Sequence, residues 1–551
     1  MKKLKSMLCL LLAVVMALGM SACGEKTNDS NGGGTSDNGG SGTSAGTSKG
    51  AVAAAEGSGY RFDSLTIGTT VMPNFITGCT PAENDGACSL VFDEVFKIDR
   101  ETREPYSEIL EDWYFEDDNT MIMKLKDGIY FSNGEKATAE DLLFSYASHP
   151  ERDSSYTYEF GILYDECEVI DELTLSMKFE KFYSAFYSSY IIYLYDKSWC
   201  ESVGWDSLEW QKPVGTGPYA CTEYKIDDRA TFTARDDYWN KDNNPVEIRQ
   251  WTLKYYQDAS TMELDLEAGN IVMCSVSATE YERFLNNGGD GFDIYTGSNG
   301  VNYIFQMGFL ENDCWYDENV RKAFAVGIPW AEFGEVVLGV DYQEATSIVP
   351  KISPEYKNVG TYEFNIDEAK QLLAEAGYDE TNPLKLHTVM MSTPFYSKCC
   401  EAFEYYCSQL GVEFTYDLKD ISATINDWMT PGSGVELGFY YDNFGSVDAQ
   451  YVRGLDWAAN RSGSTWTFID DEEYNRLYLE VAYETDAETR IAKSMELQQM
   501  TYDRYLAIPF AEANFKVGYR TDVFNLAQMK LGVMNGEYYN LADMSYASAW
   551  N

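Results

Sequence analysis

Apolar positions recur along this chain in two rhythms, one of two residues and one of three to four. Thr120-Met121-Ile122-Met123-Lys124-Leu125-Lys126, Asp127-Gly128 and Ile129-Tyr130-Phe131 read as two short strands about a turn, a predicted hairpin. Thr138 then stands as an N-cap with Asp141 at the third helical position, and Leu142, Leu143 and Tyr146 supply the apolar side of the helix. Val169-Ile170-Asp171-Glu172-Leu173-Thr174-Leu175 predicts a second hairpin. Asn365 and Glu368 open a helix in the manner of a capping box. Ala369, Leu372, Leu373 and Ala376 keep its period, and Gly377 stops it. A strand over Leu384 to Val389, a helix over Tyr396 to Leu410 and, past Gly411, a strand over Val412 to Tyr416 follow. Helices and strands in alternation predict an α/β lobe. The chain shows no solenoid repeat.

The first sixty residues follow neither rhythm. Lys2, Lys3 and Lys5 precede an apolar run from Met7 to Met20, shorter than the roughly 20 residues a spanning helix needs. Small residues then lead to Cys23, the layout of a secretory signal peptide over residues 1–22. Met20-Ser21-Ala22-Cys23 resembles a bacterial lipobox, which implies a lipid on Cys23. Residues 23–59 are rich in Gly, Ser, Thr and Asn and predict a flexible tether. Gly42-Thr43-Ser44-Ala45-Gly46 fits the pattern of a nucleophile elbow, but no strand leads into it and no helix follows. The body is expected outside the cytoplasm, held to the outer face of the cell membrane.

Charge narrows the partners. With 89 acidic against 41 basic residues the chain carries a formal −48, which excludes a phosphate-gripping nucleic-acid binder and disfavours direct docking on anionic lipid. Of the 12 cysteines, Cys9 leaves with the signal peptide and Cys23 takes the lipid. The rest are scattered, with no Cys-x-x-Cys. Cys400 and Cys407 share a helix face and are expected as buried thiols, while a Cys79–Cys88 disulfide is left open. Two histidines are poor material for a His-based triad or metal site. No metal, no cofactor and no catalysis are expected.

Five segments then carry a resemblance. Lys124-Leu125-Lys126-Asp127-Gly128-Ile129-Tyr130-Phe131-Ser132-Asn133-Gly134-Glu135-Lys136-Ala137-Thr138-Ala139-Glu140-Asp141 resembles the signature of family 5 extracellular solute-binding proteins, the peptide- and nickel-class receptors of ABC importers. Pro213-Val214-Gly215-Thr216-Gly217-Pro218-Tyr219 matches that family's Gly-Thr-Gly-Pro-Tyr segment, and Asp236 to Trp239 resembles its later Asn-x-x-Tyr-Trp. Asp317 to Phe324 and Ile366 to Tyr378 resemble two further segments, in family order. The resemblance implies an α/β, bilobal, periplasmic-binding-protein-like fold of type II (a Venus flytrap) with an extra subdomain in the first lobe. Lobe one is expected over 60–300 plus 510–551, with the subdomain at 96–204, and lobe two over 301–509. The Gly-Thr-Gly-Pro-Tyr turn is read as structural, a backbone bend and not a phosphate cradle.

The family's peptide binders carry a Gly-Trp-x-x-Asp segment whose Asp pairs with the ligand's α-ammonium. Gly438-Phe439-Tyr440-Tyr441-Asp442 resembles it, with Phe439 in place of Trp as an aromatic wall and Asp442 as the acid. The family's following Asp-Pro is replaced by Asn443-Phe444. Tyr440 and Tyr441 are candidates of which one faces the cleft, since neighbours in a strand point opposite ways. Asn302 and Tyr303 lie on the strand expected to re-enter lobe two, as ligand contacts or as core. The implied function is a lipid-anchored, monomeric receptor that passes small peptides to an ABC permease and its ATPase subunits. Alternatives are a saccharide or a metal chelate in the same fold, or, from another class, an extracellular hydrolase using two carboxylates.

Overall fold

The computed structural model describes residues 48–76, 85–99, 104–148, 161–182, 184–187, 192–276, 281, 291–307, 314–339, 342–420, 423–424, 427, 437–443, 471–526, 528–529 and 540–550. Residues 184–185, 298–301, 437–438, 440–443, 513 and 515 are described in backbone alone. The signal peptide, Cys23, most of the expected tether and Cys79 lie outside this set. No helix among the described residues is long and apolar enough to cross a membrane.

Lobe one is built on a five-stranded sheet in the order Ala51–Ala53, Phe62–Thr69, Gln250–Tyr255, Arg229–Ala234, Tyr219–Lys225. Leu65, Ile67, Phe232, Trp251 and Leu253 bury its inner face. The first strand falls inside the stretch expected to be tether. Ser48 explains why: its hydroxyl donates to Asp522 at 2.9 Å and accepts from the Arg520 guanidinium at 2.9 Å, so the chain is clamped to the body before the strand begins. The Gly-Thr-Gly turn is a close approach of two backbones. A Cβ on Gly215 would stand 2.1 Å from the Val91 carbonyl oxygen, and the Gly217 N–H donates to that oxygen at 2.8 Å.

The subdomain holds a second, antiparallel sheet in the order Leu110–Asp117, Thr120–Leu125, Thr174–Lys178, Glu168–Asp171. Its last two strands form the hairpin read at Val169–Leu175. The first predicted hairpin is corrected. Gly128 does turn, with φ +88°, but Thr120–Leu125 already has a strand on each side. Ile129 and Phe131 are instead buried plugs of the core, held by one isolated bridge from Tyr130 to Lys136. Trp113 and Phe115 supply the true partner strand, through a turn in which Asp117 accepts the Asn119 N–H at 2.8 Å. The helix Ala139–Ala147 starts at Thr138 with the full capping box to Asp141.

Among the described residues lobe two packs six α-helices, Glu318–Gly327, Trp330–Leu338, Ile366–Glu375, Pro394–Leu410, Glu472–Ala482 and Ala487–Asp503, around one apolar cluster. Asn365 caps the third of them and Gly377, at φ +93°, follows its end. Gly411 closes the fourth in the left-handed region, and the chain turns into a parallel pair, Lys385–Met391 beside Glu413–Lys419. Cys399, Cys400 and Cys407 are buried on that fourth helix.

A four-stranded sheet joins the lobes, in the order Met273–Ser275, Ala507–Arg520, Phe292–Met307, Leu437–Asn443. Its two long strands pair from Phe292 with Arg520 to Ser298 with Asn514, and again from Asn302 with Glu512 to Gln306 with Ala507. Between Ser298 and Asn302 the register shifts, and it shifts again by one residue between Tyr303, paired with Ala511, and Ile304, paired with Pro509. On one side of that break Val517 and Tyr519 belong to the lobe one core; on the other, Ile304 and Phe305 belong to that of lobe two. Phe439 belongs to the lobe two core as well. Its ring is fully buried, 5.3 to 5.5 Å from the rings of Phe305, Phe333 and Phe403. The aromatic wall expected of it is therefore corrected: the ring faces the core.

A buried seam fastens the C-terminal segment to the subdomain. The Lys97 ammonium lies 3.0 Å from Glu108 and 3.2 Å from Asp543, and Asn540 donates to Glu94 at 2.9 Å. Burial, and then the charges of Asp543, Glu108 and Asp93 against the opposing Lys97, push Glu94 up from 4.5 to about 7.

Two predictions follow from these contacts. Truncating the ring in Phe439→Ala should cost about 3–5 kcal/mol in a denaturant titration, the usual toll of an emptied aromatic site. A variant as stable as the parent would return the ring to the cleft. The folded state also binds the Glu94 proton more tightly than the unfolded chain does. Its charge thus costs nothing below its ordinary pKa and costs more as pH rises through about 7. The stability lost between about pH 5 and about pH 8 should be smaller in Glu94→Gln than in the parent. Equal losses would remove Glu94 from the account.

Candidate functional site

The register of the joining sheet sorts the candidate residues. Asn302 pairs with Asp442, Tyr303 with Tyr441, Ile304 with Tyr440 and Phe305 with Phe439. Directly paired residues of antiparallel strands share a face, and the faces alternate. Asn302, Tyr440 and Asp442 thus occupy one face, and Tyr303, Phe439 and Tyr441 the other. The second face is the aromatic core: the Tyr303 ring lies 5.0 Å from that of Phe395 and 6.1 Å from that of Phe510. The six candidate positions are divided three and three, and of the adjacent tyrosines it is Tyr440 that shares a face with Asp442.

The first face is polar where it meets the break. Asn302 is only 1% exposed. Its Nδ2 donates to the Ser347 carbonyl at 2.9 Å, and its Oδ1 meets no partner among the described residues. That carbonyl fixes the amide's orientation, since an oxygen turned toward it would be repelled. Ser347 is steadied in turn by its hydroxyl, which donates to Gln498 at 2.8 Å. On the other side of Asn302 stands Glu512, its cross-strand partner on Ala507–Arg520 and 2% exposed. Glu512 accepts the Lys351 backbone N–H at 3.5 Å and faces the Lys351 ammonium at 3.8 Å. Positions 442, 302 and 512 thus form one rung across three strands, the first beyond the break on the lobe two side.

Sequence reasoning missed Glu512, Ser347 and Lys351. The signal for Glu512 was present: one acid in the strand stretch Ile508-Pro509-Phe510-Ala511-Glu512. A carboxylate inside a buried strand is rare without a purpose. Chemically the rung offers hydrogen-bond acceptors and negative charge, which suits a donor or a cation. Among the described residues no group of three His, Cys, Asp or Glu side chains is placed to hold a metal.

Comparison with known proteins places this geometry. The model of the bacterial extracellular solute-binding proteins, family 5, matches residues 104–474. The oligopeptide-binding protein AppA of Bacillus subtilis is 27% identical over 276 residues, 47% of this chain and 49% of that relative, so about half of its length is matched. Its structure, in complex with a nonapeptide, superposes with a TM-score of 0.63 at 19% identity, covering 84% of this chain and 97% of its own. The dipeptide-binding protein DppE of the same organism is 24% identical over 444 residues, 74% of this chain and 78% of its own. The structure of HbpA2 from Haemophilus parasuis superposes with a TM-score of 0.73 at 18% identity, covering 87% of this chain and 98% of its own. Further relatives are named for heme and for nickel binding. The α/β, bilobal fold of type II expected above is the one observed. With a joining sheet that carries a polar rung beside its break, and a family model matching most of its length, this chain belongs to the bacterial extracellular solute-binding proteins of family 5.

Proposed function

We propose that this protein captures short peptides between its lobes and hands them to the permease of an ABC importer. The lobes take the expected ranges with the start of lobe one moved back from 60 to Ser48: 48–300 plus 510–551, with the subdomain at 96–204, and 301–509. A lipid on Cys23 holds the body, as a monomer, at the outer face of the cell membrane. The observation that carries the reading is the position of residue 442. It stands on the rung beside the break, where two lobes closing on a ligand bring it deepest. Asp442 there pairs with the α-ammonium of the peptide. A cation leaving water needs such a partner, because an unpaired charge in a closed cleft costs several kcal/mol. Asn302 flanks it, and Tyr440 shares its face. Names of relatives that bind oligopeptides and dipeptides, and a nonapeptide in one of their structures, support the ligand class.

Calorimetry with trialanine and N-acetyl-trialanine on the full chain tests this. The parent should bind trialanine and lose about 30-fold or more on acetylation. Asp442→Asn should lose a similar factor for trialanine and be indifferent to the acetyl group. Failure of the parent to bind any free peptide, or full peptide affinity in the variant, would overturn the reading. A sugar or metal chelate found on the purified protein by native mass spectrometry would replace it.

A further inference from the structure

An open groove of about 700 Å³ lies where the subdomain meets lobe two. Glu472, Arg476, Leu479 and Tyr483 line it, four, three and four residues apart, so one face of the helix Glu472–Ala482 forms its wall. The cations of that wall are paired within lobe two: Arg476 lies 2.6 Å from Glu480, and Lys493 lies 3.0 Å from Glu484. The opposite side is Lys181, three residues past the subdomain strand Thr174–Lys178. Its ammonium stands 3.8 Å from the centroid of the Tyr483 ring, and no carboxylate among the described residues lies within 4 Å of it. Both ends of this contact are fixed. The Glu180 N–H donates to the Gly161 carbonyl at 2.7 Å, and Phe182 is buried against Phe115 and Phe179, so the backbone is held on each side of Lys181. Tyr483 follows the last turn of its helix, its N–H donating to the Leu479 carbonyl at 3.2 Å. A second crossing lies beside the first. The turn Ser184–Tyr187 rests against the same helix. Burial pushes the Tyr187 phenol up to about 12, against the Trp113 side chain and the Arg490 guanidinium of lobe two.

We propose that Lys181 over the Tyr483 ring is a latch that holds the two lobes closed at the mouth of this groove. The two side chains belong to different lobes, so the contact exists only while the lobes are together. When they part, the ammonium returns to water and the ring loses its cation. A contact present in one state and absent from the other shifts the balance between them by its own strength. A cation over an aromatic ring at an exposed site is a weak contact, so the closed state gains about two- to fivefold. That biases closure without preventing opening, as suits a receptor that must also release what it carries. Beside the latch the helix face borders open space, so closure there leans on few side chains. The device acts on closure itself and is the same for a peptide, a sugar or a chelate.

The test is single-molecule energy transfer on the full chain without added ligand, with dyes on unnatural residues in place of the exposed Tyr114 in the subdomain and Tyr405 in lobe two. The ratio of closed to open molecules should fall about two- to fivefold in Lys181→Met and in Tyr483→Leu. The double variant should fall no further than either alone, since both remove the same contact. Lys181→Arg, which keeps a cation over the ring, should hold the parent's ratio. Lys181 is exposed, so its variants keep the test open if the Tyr483 variant fails to fold. A parent found only open, or a ratio that neither single substitution moves, overturns the latch. So do losses that add in the double variant, or a loss in Lys181→Arg equal to that in Lys181→Met. Each of these outcomes leaves peptide capture standing, and a parent that binds no peptide leaves the latch standing.

Discussion

Both lobes hang on one pair of strands. Phe292–Met307 and Ala507–Arg520 run antiparallel through the whole molecule, each with one end in the core of lobe one and the other in that of lobe two. Such a ladder resists shear, since sliding one residue would turn every side chain to the wrong face. It bends where pairing is incomplete. Three residues between Ser298 and Asn302 face a single residue between Asn514 and Glu512, so the ladder is weakest where the cores part. The rest of the structure is arranged about that break: a clamp at Ser48 and Arg520 on one side, the buried rings of Phe305 and Phe439 on the other.

The same constraint explains why a polar rung can sit there. Its strands are anchored from behind, where the Phe305 ring lies 5.1 Å from Trp330 and 5.0 Å from Phe403. With that face fixed by packing, Asn302 and Glu512 are held in place before any ligand arrives. The cost of ordering the acceptors is met in folding, which is what preorganisation means for a binding site.

Local signals in the sequence translated well. The capping box at Thr138, the cap at Asn365, the stop at Gly377 and the left-handed close at Gly411 each depend on residues three or four apart. Pairing over long separations did not. The partner of Thr120–Leu125 was read as the next apolar run, while the fold uses the preceding one, because burying Ile129 and Phe131 as plugs satisfies them without a strand. Phe439 shows a different failure. Three residues from Asp442 in a strand means the opposite face, so the two could not share a cleft wall by the alternation of side chains alone. Family position suggested a wall; the period of two already denied it. Glu512 was missed because its rung partners, Asn302 and Asp442, come from distant parts of the chain, and only register unites them.

Charge acts on this molecule at two ranges, and only one can discriminate. The formal −48 draws any cation toward the surface, but the field is screened within about 8 Å at physiological salt and treats all cations alike. The rung works at contact and away from water, where a carboxylate's attraction is strong and an unmet acceptor is expensive. Lys351 links the two ranges. Its ammonium stands 3.8 Å from the buried Glu512 carboxylate while 43% of its side chain is exposed, so it touches both a buried anion and solvent. The bulk acidity of the surface therefore bears on the rate of encounter and not on the choice among cations.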